Sequence, residues 1–184
     1  EEQGIVPLFF TYTASSGLMS SKPVASVGDF KGLKVNSQHN IMGSFFSGGG
    51  AGLTNIPIAE QYEALMRGTT DAIAMPYYTL ETYKFHEVVD YIQGIPLYNP
   101  STQLVAVSKS TWGKLPEDIQ NTILDVAKEL ELETLETSKK LSLDGYEIAK
   151  KHGVEITPIT KEEYDKFIEL SEETSWKEFE NLNV

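Results

Sequence analysis

Glu60–Pro76, EQYEALMRGTTDAIAMP, joins a helix to a strand with almost no slack and sets the frame for the rest of the chain. Tyr62, Leu65 and Met66 recur at helical spacing, Gly68 supplies a left-handed stop, and Asp71 to Met75 reads as a short buried strand. Such a unit is α/β in character. It delivers Met75 and Pro76 to the end of a sheet strand, and in open α/β sheets ligands sit in the crevice outside the strand ends. Met75 to Tyr78 is therefore a candidate wall of a binding site, with ordinary α/β scaffold as the alternative.

Upstream, the apolar run Ile5 to Phe10 is expected to be a buried strand, in which Pro7 is tolerable only near an end or at an edge. Thr11 to Ser21 reads as a polar loop with Gly17 for flexibility. Asp29 and Gly32 frame a turn, Leu33 to Val35 begins a strand, and Asn36 stands at its carboxyl end. Asn40 to Ser47 reads as a short helix broken by Gly48 to Gly50, and Leu53 to Ile56 as another short strand.

Downstream, Thr79 to Phe85 reads as helical, Val88 to Ile92 re-enters a sheet, and Gln103 to Ser108 makes one more strand. Leu115-Pro116-Glu117-Asp118 is a helix start, with proline in the first turn and two carboxylates at the positive end of the dipole. Its apolar positions, from Ile119 through Ile123, Val126, Ala127 and Leu130 to Leu135, carry the helix towards His152, and Gly153 closes it. Val154 to Thr157 is a short strand. Thr160 and Glu163 form a capping-box pattern that opens a last helix, with Tyr164, Phe167, Ile168 and Leu170 inward. Residues 1–108 thus read as an α/β body and 109–184 as a mostly helical extension.

The chain has 184 residues, of which 40% are hydrophobic, enough for a real core. A formal charge of -12 argues against nucleic acid or an anionic membrane surface as the main partner. The absence of Cys excludes disulfides and thiolate chemistry, and no run approaches the roughly 20 apolar residues of a membrane helix. The chain opens without Met, on Glu1 to Gly4, which resembles the last turn of a helix and its stop. The expectation is that further sequence, including any signal peptide, precedes it.

No catalytic or metal constellation is legible. His39, His86 and His152 are far apart in sequence and lack ligand spacing, there is no nucleophile elbow, and the triple glycine at Gly48 lacks the Lys and Ser/Thr of a phosphate loop. No cofactor is expected. What remains is a set of polar and aromatic residues at strand ends and in adjoining loops: Asn36, Gln38, Met75, Tyr77, Tyr78, Tyr98 and Asn99. Amides and phenols hydrogen-bond a small polar ligand while Met and ring faces cover its apolar parts. The same tyrosines could instead simply cap the core.

Five pieces in order carry a resemblance: Asp29-Phe30-Lys31-Gly32-Leu33-Lys34-Val35; Gly50-Ala51; Glu60-x-Tyr62-x-Ala64-Leu65-x-x-Gly68-x-x-Asp71-Ala72; Lys84-Phe85-x-Glu87-Val88; and Trp112-x-x-Leu115-Pro116-Glu117-Asp118-Ile119-Gln120. Together they resemble the DctP-type solute-binding proteins of TRAP (tripartite ATP-independent periplasmic) transporters over nearly the whole chain. The resemblance implies a periplasmic-binding-protein-like, type II-like lobe with a long C-terminal helix, the N-terminal lobe being absent from this sequence. It further implies a periplasmic receptor that closes two lobes on a small organic molecule, usually an acid, and hands it to the small and large membrane subunits. A ligand-sensing effector domain on the same architecture is the alternative, and an enzyme on this scaffold would need an acid, base or metal that the sequence does not offer.

Two departures stand out. Where the family usually places an Arg that clamps a ligand carboxylate through two parallel hydrogen bonds, this chain has Asn36, and where it often has Asn before a proline, this chain has Met75. The one Arg, Arg67, falls on the helix before Gly68, where an exposed charge is expected. The expected ligand is therefore not a simple dicarboxylate gripped by this lobe.

Overall fold

The computed structural model describes residues 4–37, 40–97 and 102–182. Its strands are β1 (Ile5–Tyr12), β2 (Ser16–Ser20), β3 (Lys34–Asn36), β4 (Gly52–Thr54), β5 (Ala72–Pro76), β6 (Tyr91–Gln93), β7 (Thr102–Ser108) and β8 (Glu155–Thr157). Its helices are α1 (Asn40–Gly48), α2 (Gln61–Met66), α3 (Thr79–Thr82), α4 (Lys109–Trp112), α5 (Glu117–His152), α6 (Lys161–Ser171) and α7 (Lys177–Leu182).

Six strands form one sheet in the order β4-β3-β5-β2-β6-β8. β3 is parallel to β4 and β5, and β6 is parallel to β8. β2 runs antiparallel to both its neighbours, so five strands point one way and β2 the other. β1 and β7 pair separately as an antiparallel ribbon, with a bulge between Pro7 and Phe9. A proline that cannot donate to a ladder is accommodated in this two-stranded setting.

The expectation of a polar loop over Thr11 to Ser21 is overturned, because Ser16–Ser20 is a central strand of the sheet. Ser-Gly-Leu-Met-Ser has too few apolar residues to announce a strand. Its burial comes from its place: Leu18 and Met19 are fully buried and point to opposite faces, one into each hydrophobic core. Gly17 is there for contact, since a Cβ on it would collide with the Tyr77 hydroxyl.

On one face, Phe30, Phe45, Phe46 and Phe167 gather in edge and tilted ring contacts with centroids 5.3–6.3 Å apart. They bring together the turn before β3, helix α1 and helix α6. On the other face, Leu65, Ile73, Tyr77, Leu80 and Phe85 pack with Ala149 of α5. The part of the chain beyond Ser108 is therefore not a separate layer: β8 completes the sheet and Phe167 lies inside the first core. Tyr164 and Ile168, expected inward, are 42% and 43% exposed and border a groove with Phe45 and Leu97.

Helix α5 starts and stops where its caps dictate. Pro116 precedes it, Glu117 and Asp118 occupy its first turn, and Gly153 ends it at φ 75°. Thirty-six residues give about 54 Å at the helical rise. The first half lies along β1, where Ile123, Val126 and Ala127 face Leu8 and Phe9 across an apolar groove of 210 Å³. The second half lies on the sheet, where Gly145 lets the helix backbone approach Tyr77 and Tyr78. Between them, the Ser15 N–H donates to Ser142 Oγ at 2.9 Å, and that hydroxyl donates to the Ser138 carbonyl at 2.7 Å. The break between β1 and β2 is thereby tied to the middle of the helix.

Candidate functional site

The topology collects one edge of the sheet. The carboxyl ends of β3, β4, β5, β6 and β8 lie there with the amino end of β2, so Asn36, Thr54, Met75, Pro76, Gln93, Thr157 and Ser16 share it. The chain arrives from the ribbon at this same edge, through residues 13–15. This is the crevice position that open α/β sheets use for ligands.

Asn36 is 3% exposed. Its Oδ1 accepts from the Ile56 N–H at 2.7 Å and its Nδ2 donates to the Ile56 carbonyl at 3.2 Å, so the amide clasps the loop after β4 from both sides. Thr54 Oγ1 lies 3.3 Å from Asn36 Oδ1, and Gln61 Nε2 donates to the same Ile56 carbonyl. Asn36 thus shapes the edge through Asn55 to Pro57. Asn36→Ala should lower the unfolding free energy by about 1–3 kcal/mol, because both Ile56 backbone groups lose a partner. A urea melt measures this; a change below 0.5 kcal/mol would mean that water replaces the amide freely.

Asn36 pairs in register with Ile73, which places Met75, two residues further on, on the same face of the sheet. Met75 is half-buried against the second core. Tyr77 is buried, its hydroxyl donating to the Gln93 carbonyl at 2.9 Å and its ring meeting Tyr146 edge-on at 5.4 Å. Burial, with Tyr146 adding to it, pushes the Tyr77 phenol well above its ordinary value, against the lowering by the Gln93 hydrogen bond. It stays a neutral donor inside the core. Tyr78 is half-buried at the start of α3, and its hydroxyl has no hydrogen-bond partner among the described residues. The fold therefore brings Asn36, Met75, Tyr77 and Tyr78 onto adjacent strands and the turn that follows. Gln38, Tyr98 and Asn99 lie outside the described residues.

Gln93 and Thr157, not singled out in the sequence, are register partners at this edge. Gln93 Oε1 and Thr157 Oγ1 are buried without a hydrogen-bond partner among the described residues, while Gln93 Nε2 donates to the Val24 carbonyl at 3.3 Å. An amide ending the apolar segment Val88 to Ile92 was the signal that could have flagged Gln93. Away from the edge, His86 and His152, distant in sequence, stack at 3.8 Å, and Glu81 meets Lys151 and His152. These partners hold the Glu81 carboxyl below its ordinary value, Lys151 first. Among the described residues no group of three metal-ligating side chains occurs. Arg67 pairs with Glu63 on α2, in the open.

Residues 1–182 match the family model described as bacterial extracellular solute-binding protein, family 7, or DctP. The chain belongs to this family. A solute-binding protein of Albidiferax ferrireducens is 25% identical over 181 residues, covering 97% of this chain and 54% of that protein. The sialic acid-binding periplasmic protein SiaP of Vibrio cholerae is 32% identical over 115 residues, 61% of this chain and 35% of SiaP. Among solved structures, a TRAP periplasmic solute binding protein from Rhodoferax ferrireducens with bound malonate superposes with a TM-score of 0.82 at 26% identity, covering 96% of this chain and 57% of that one. One from Desulfovibrio salexigens with bound orotic acid gives 0.83 at 26% identity, covering 95% and 56%.

The resemblance seen in the sequence and the α/β class are thereby established, and the chain spans about half the length of the relatives that align along it throughout. Family 7 is a family of extracellular solute-binding proteins, and no described helix is long and apolar enough to cross a membrane.

Proposed function

We propose that this chain forms one lobe, with its C-terminal helices, of the extracytoplasmic solute receptor of a TRAP-type secondary transporter. In this reading residues 1–108 supply most of the second lobe and a hinge strand, and 109–184 the long helix, the strand β8 that completes the sheet and the last helices packed on it. A small organic molecule binds between the strand edge described above and a further lobe, and the closed receptor delivers it to the small and large membrane subunits in the periplasm.

The observation that carries the proposal is the ribbon beside the edge. Two strands alone are marginal in water, yet β1 and β7 stand apart from the main sheet, braced by α5, with Ile5, Phe10 and Leu104 each at least 40% exposed. A second lobe that extends this ribbon would cover those side chains and the groove between β1 and α5. Residues 13–15, tied to Ser142, would then be the crossing between lobes, and the long helix would span both.

Calorimetry on the protein as its gene encodes it should show one small organic solute bound per chain with micromolar affinity or better. The 184-residue chain alone should bind the same solute at about millimolar affinity or not at all, near 4 kcal/mol or less, because it offers one wall of the cleft. Equal affinity in both forms would defeat the two-lobe reading. Chemical turnover of the bound solute would defeat the receptor reading.

A further inference from the structure

The binding edge and the opposite edge of the sheet differ in charge. At the binding edge, the described residues that end each parallel strand and follow it read Asn36-Ser37, Thr54-Asn-Ile-Pro57, Pro76-Tyr-Tyr-Thr79, Gln93-Gly-Ile-Pro96 and Thr157-Pro-Ile-Thr160, and β2 enters through Thr13-Ala-Ser-Ser16. None of these residues is Asp, Glu, Lys or Arg, although 23% of the chain is. At the opposite edge every strand except β4 has a charge at or beside its end: Lys34 and Glu155 open β3 and β8, Asp71 and Asp90 immediately precede β5 and β6, and Lys22 follows β2. Those charges are partly paired, Asp71 accepting from the Lys34 N–H at 2.9 Å and facing its ammonium at 4.0 Å.

The cations of α6, the helix that follows Thr160, are engaged with carboxylates of their own helix. Lys161 pairs with Asp165, and Lys166 with Glu162 and Glu163, which push its ammonium up to about 12, Glu163 first. Asn36 has both ends of its amide on Ile56 and Tyr77 has its hydroxyl on Gln93. Left for a ligand are uncharged groups: the Tyr78 hydroxyl, the exposed Asn55 amide and the half-buried Met75 surface. A carboxylate set here would meet no counter-charge among these described residues, in a chain whose formal charge is already -12.

Resting on the receptor reading, we infer that the end of the solute held by this chain is uncharged and hydrogen-bonding, bearing hydroxyl, keto or amide groups. Any carboxylate of the solute is held away from this edge. The solute class is then a polyhydroxylated or keto compound with at most one acid group, and not a symmetric dicarboxylate.

The test is calorimetry on the gene-encoded protein with D-gluconate and D-galacturonate against malonate, succinate and L-malate, together with mass spectrometry of the solute that co-purifies. Hydroxylated monoacids or neutral polyols should bind at least tenfold tighter than any of the dicarboxylates, and Tyr78→Phe and Asn55→Ala should weaken them while leaving the melting temperature in place. Dicarboxylates that bind as tightly as the hydroxylated compounds would overturn the inference while leaving the receptor reading intact. A protein that binds none of the panel and carries no co-purified solute would overturn the receptor reading and the inference with it.

Discussion

Phe30→Ala is expected to lower the unfolding free energy by about 3–5 kcal/mol, the range for removing a large buried ring. Phe30 is fully buried at the centre of the ring cluster, edge-on to Phe45 at 5.5 Å and to Phe46 at 5.4 Å, and tilted against Phe167 at 5.6 Å. Its ring also fills the space beside Gly49, where a Cβ would collide with it. Because these rings belong to two different helices, α1 and α6, none can collapse into the hole without dragging its own helix. A urea melt should show a lowered midpoint with little change in slope. A loss below 1 kcal/mol would show that α1 and α6 close over the cavity and that the rings do not fix these helices on the sheet. Phe30→Leu, which keeps most of the volume, should recover at least half of the loss.

Gly145→Ala is expected to destabilise the protein by about 1–3 kcal/mol, although the same change in an open helix would stabilise it by about 1 kcal/mol. Two effects oppose each other here. Alanine favours the helical backbone, but its Cβ would stand 2.6 Å from Tyr77 Cβ and 3.2 Å from both the Tyr77 carbonyl carbon and the Tyr78 nitrogen. Two of those three atoms are backbone, so relief requires moving α5 away from the turn after β5. The clash is therefore expected to win. Leu143→Ala, on the same helix and 70% exposed, serves as the control and should stay within about 0.5 kcal/mol. If Gly145→Ala raised the melting temperature, α5 would not be in close contact with the turn that carries Tyr77 and Tyr78. The variant also bears on binding, because displacing that turn moves Tyr78, one of the uncharged groups proposed to meet the solute.

The proposed ligand chemistry depends on which polar groups remain available, and that is where residue type and residue role separate. Asn36 is polar and at a strand end, as its sequence context suggests, yet its amide is closed on Ile56. Tyr77 stands beside Tyr78 in the chain, yet one hydroxyl is sealed against Gln93 and the other has no partner among the described residues. Strand alternation and the helical turn that follows send consecutive tyrosines in different directions.

By itself the sequence determined the local elements whose signals are local. Pro116, Glu117 and Asp118 start α5 and Gly153 stops it, Thr160 accepts from the Glu163 N–H to cap α6, and Gly68 ends the helix before β5 at φ 66°. These depend on caps, dipoles and backbone freedom within a few residues, which any reader of the chain can see. The family was legible for the same reason, as short runs at fixed spacing.

Only the tertiary structure decided that Ser16–Ser20 is the central strand, that His86 stacks on His152, and that Gln93 and Thr157 lie side by side. Each depends on partners far away in the chain: β2 is held by β5 and β6, and Gly17 is required by the hydroxyl of Tyr77. The uncharged edge is of the same kind. Its residues are scattered from Thr13 to Thr160, and they form one surface because five parallel strands end together where β2 begins.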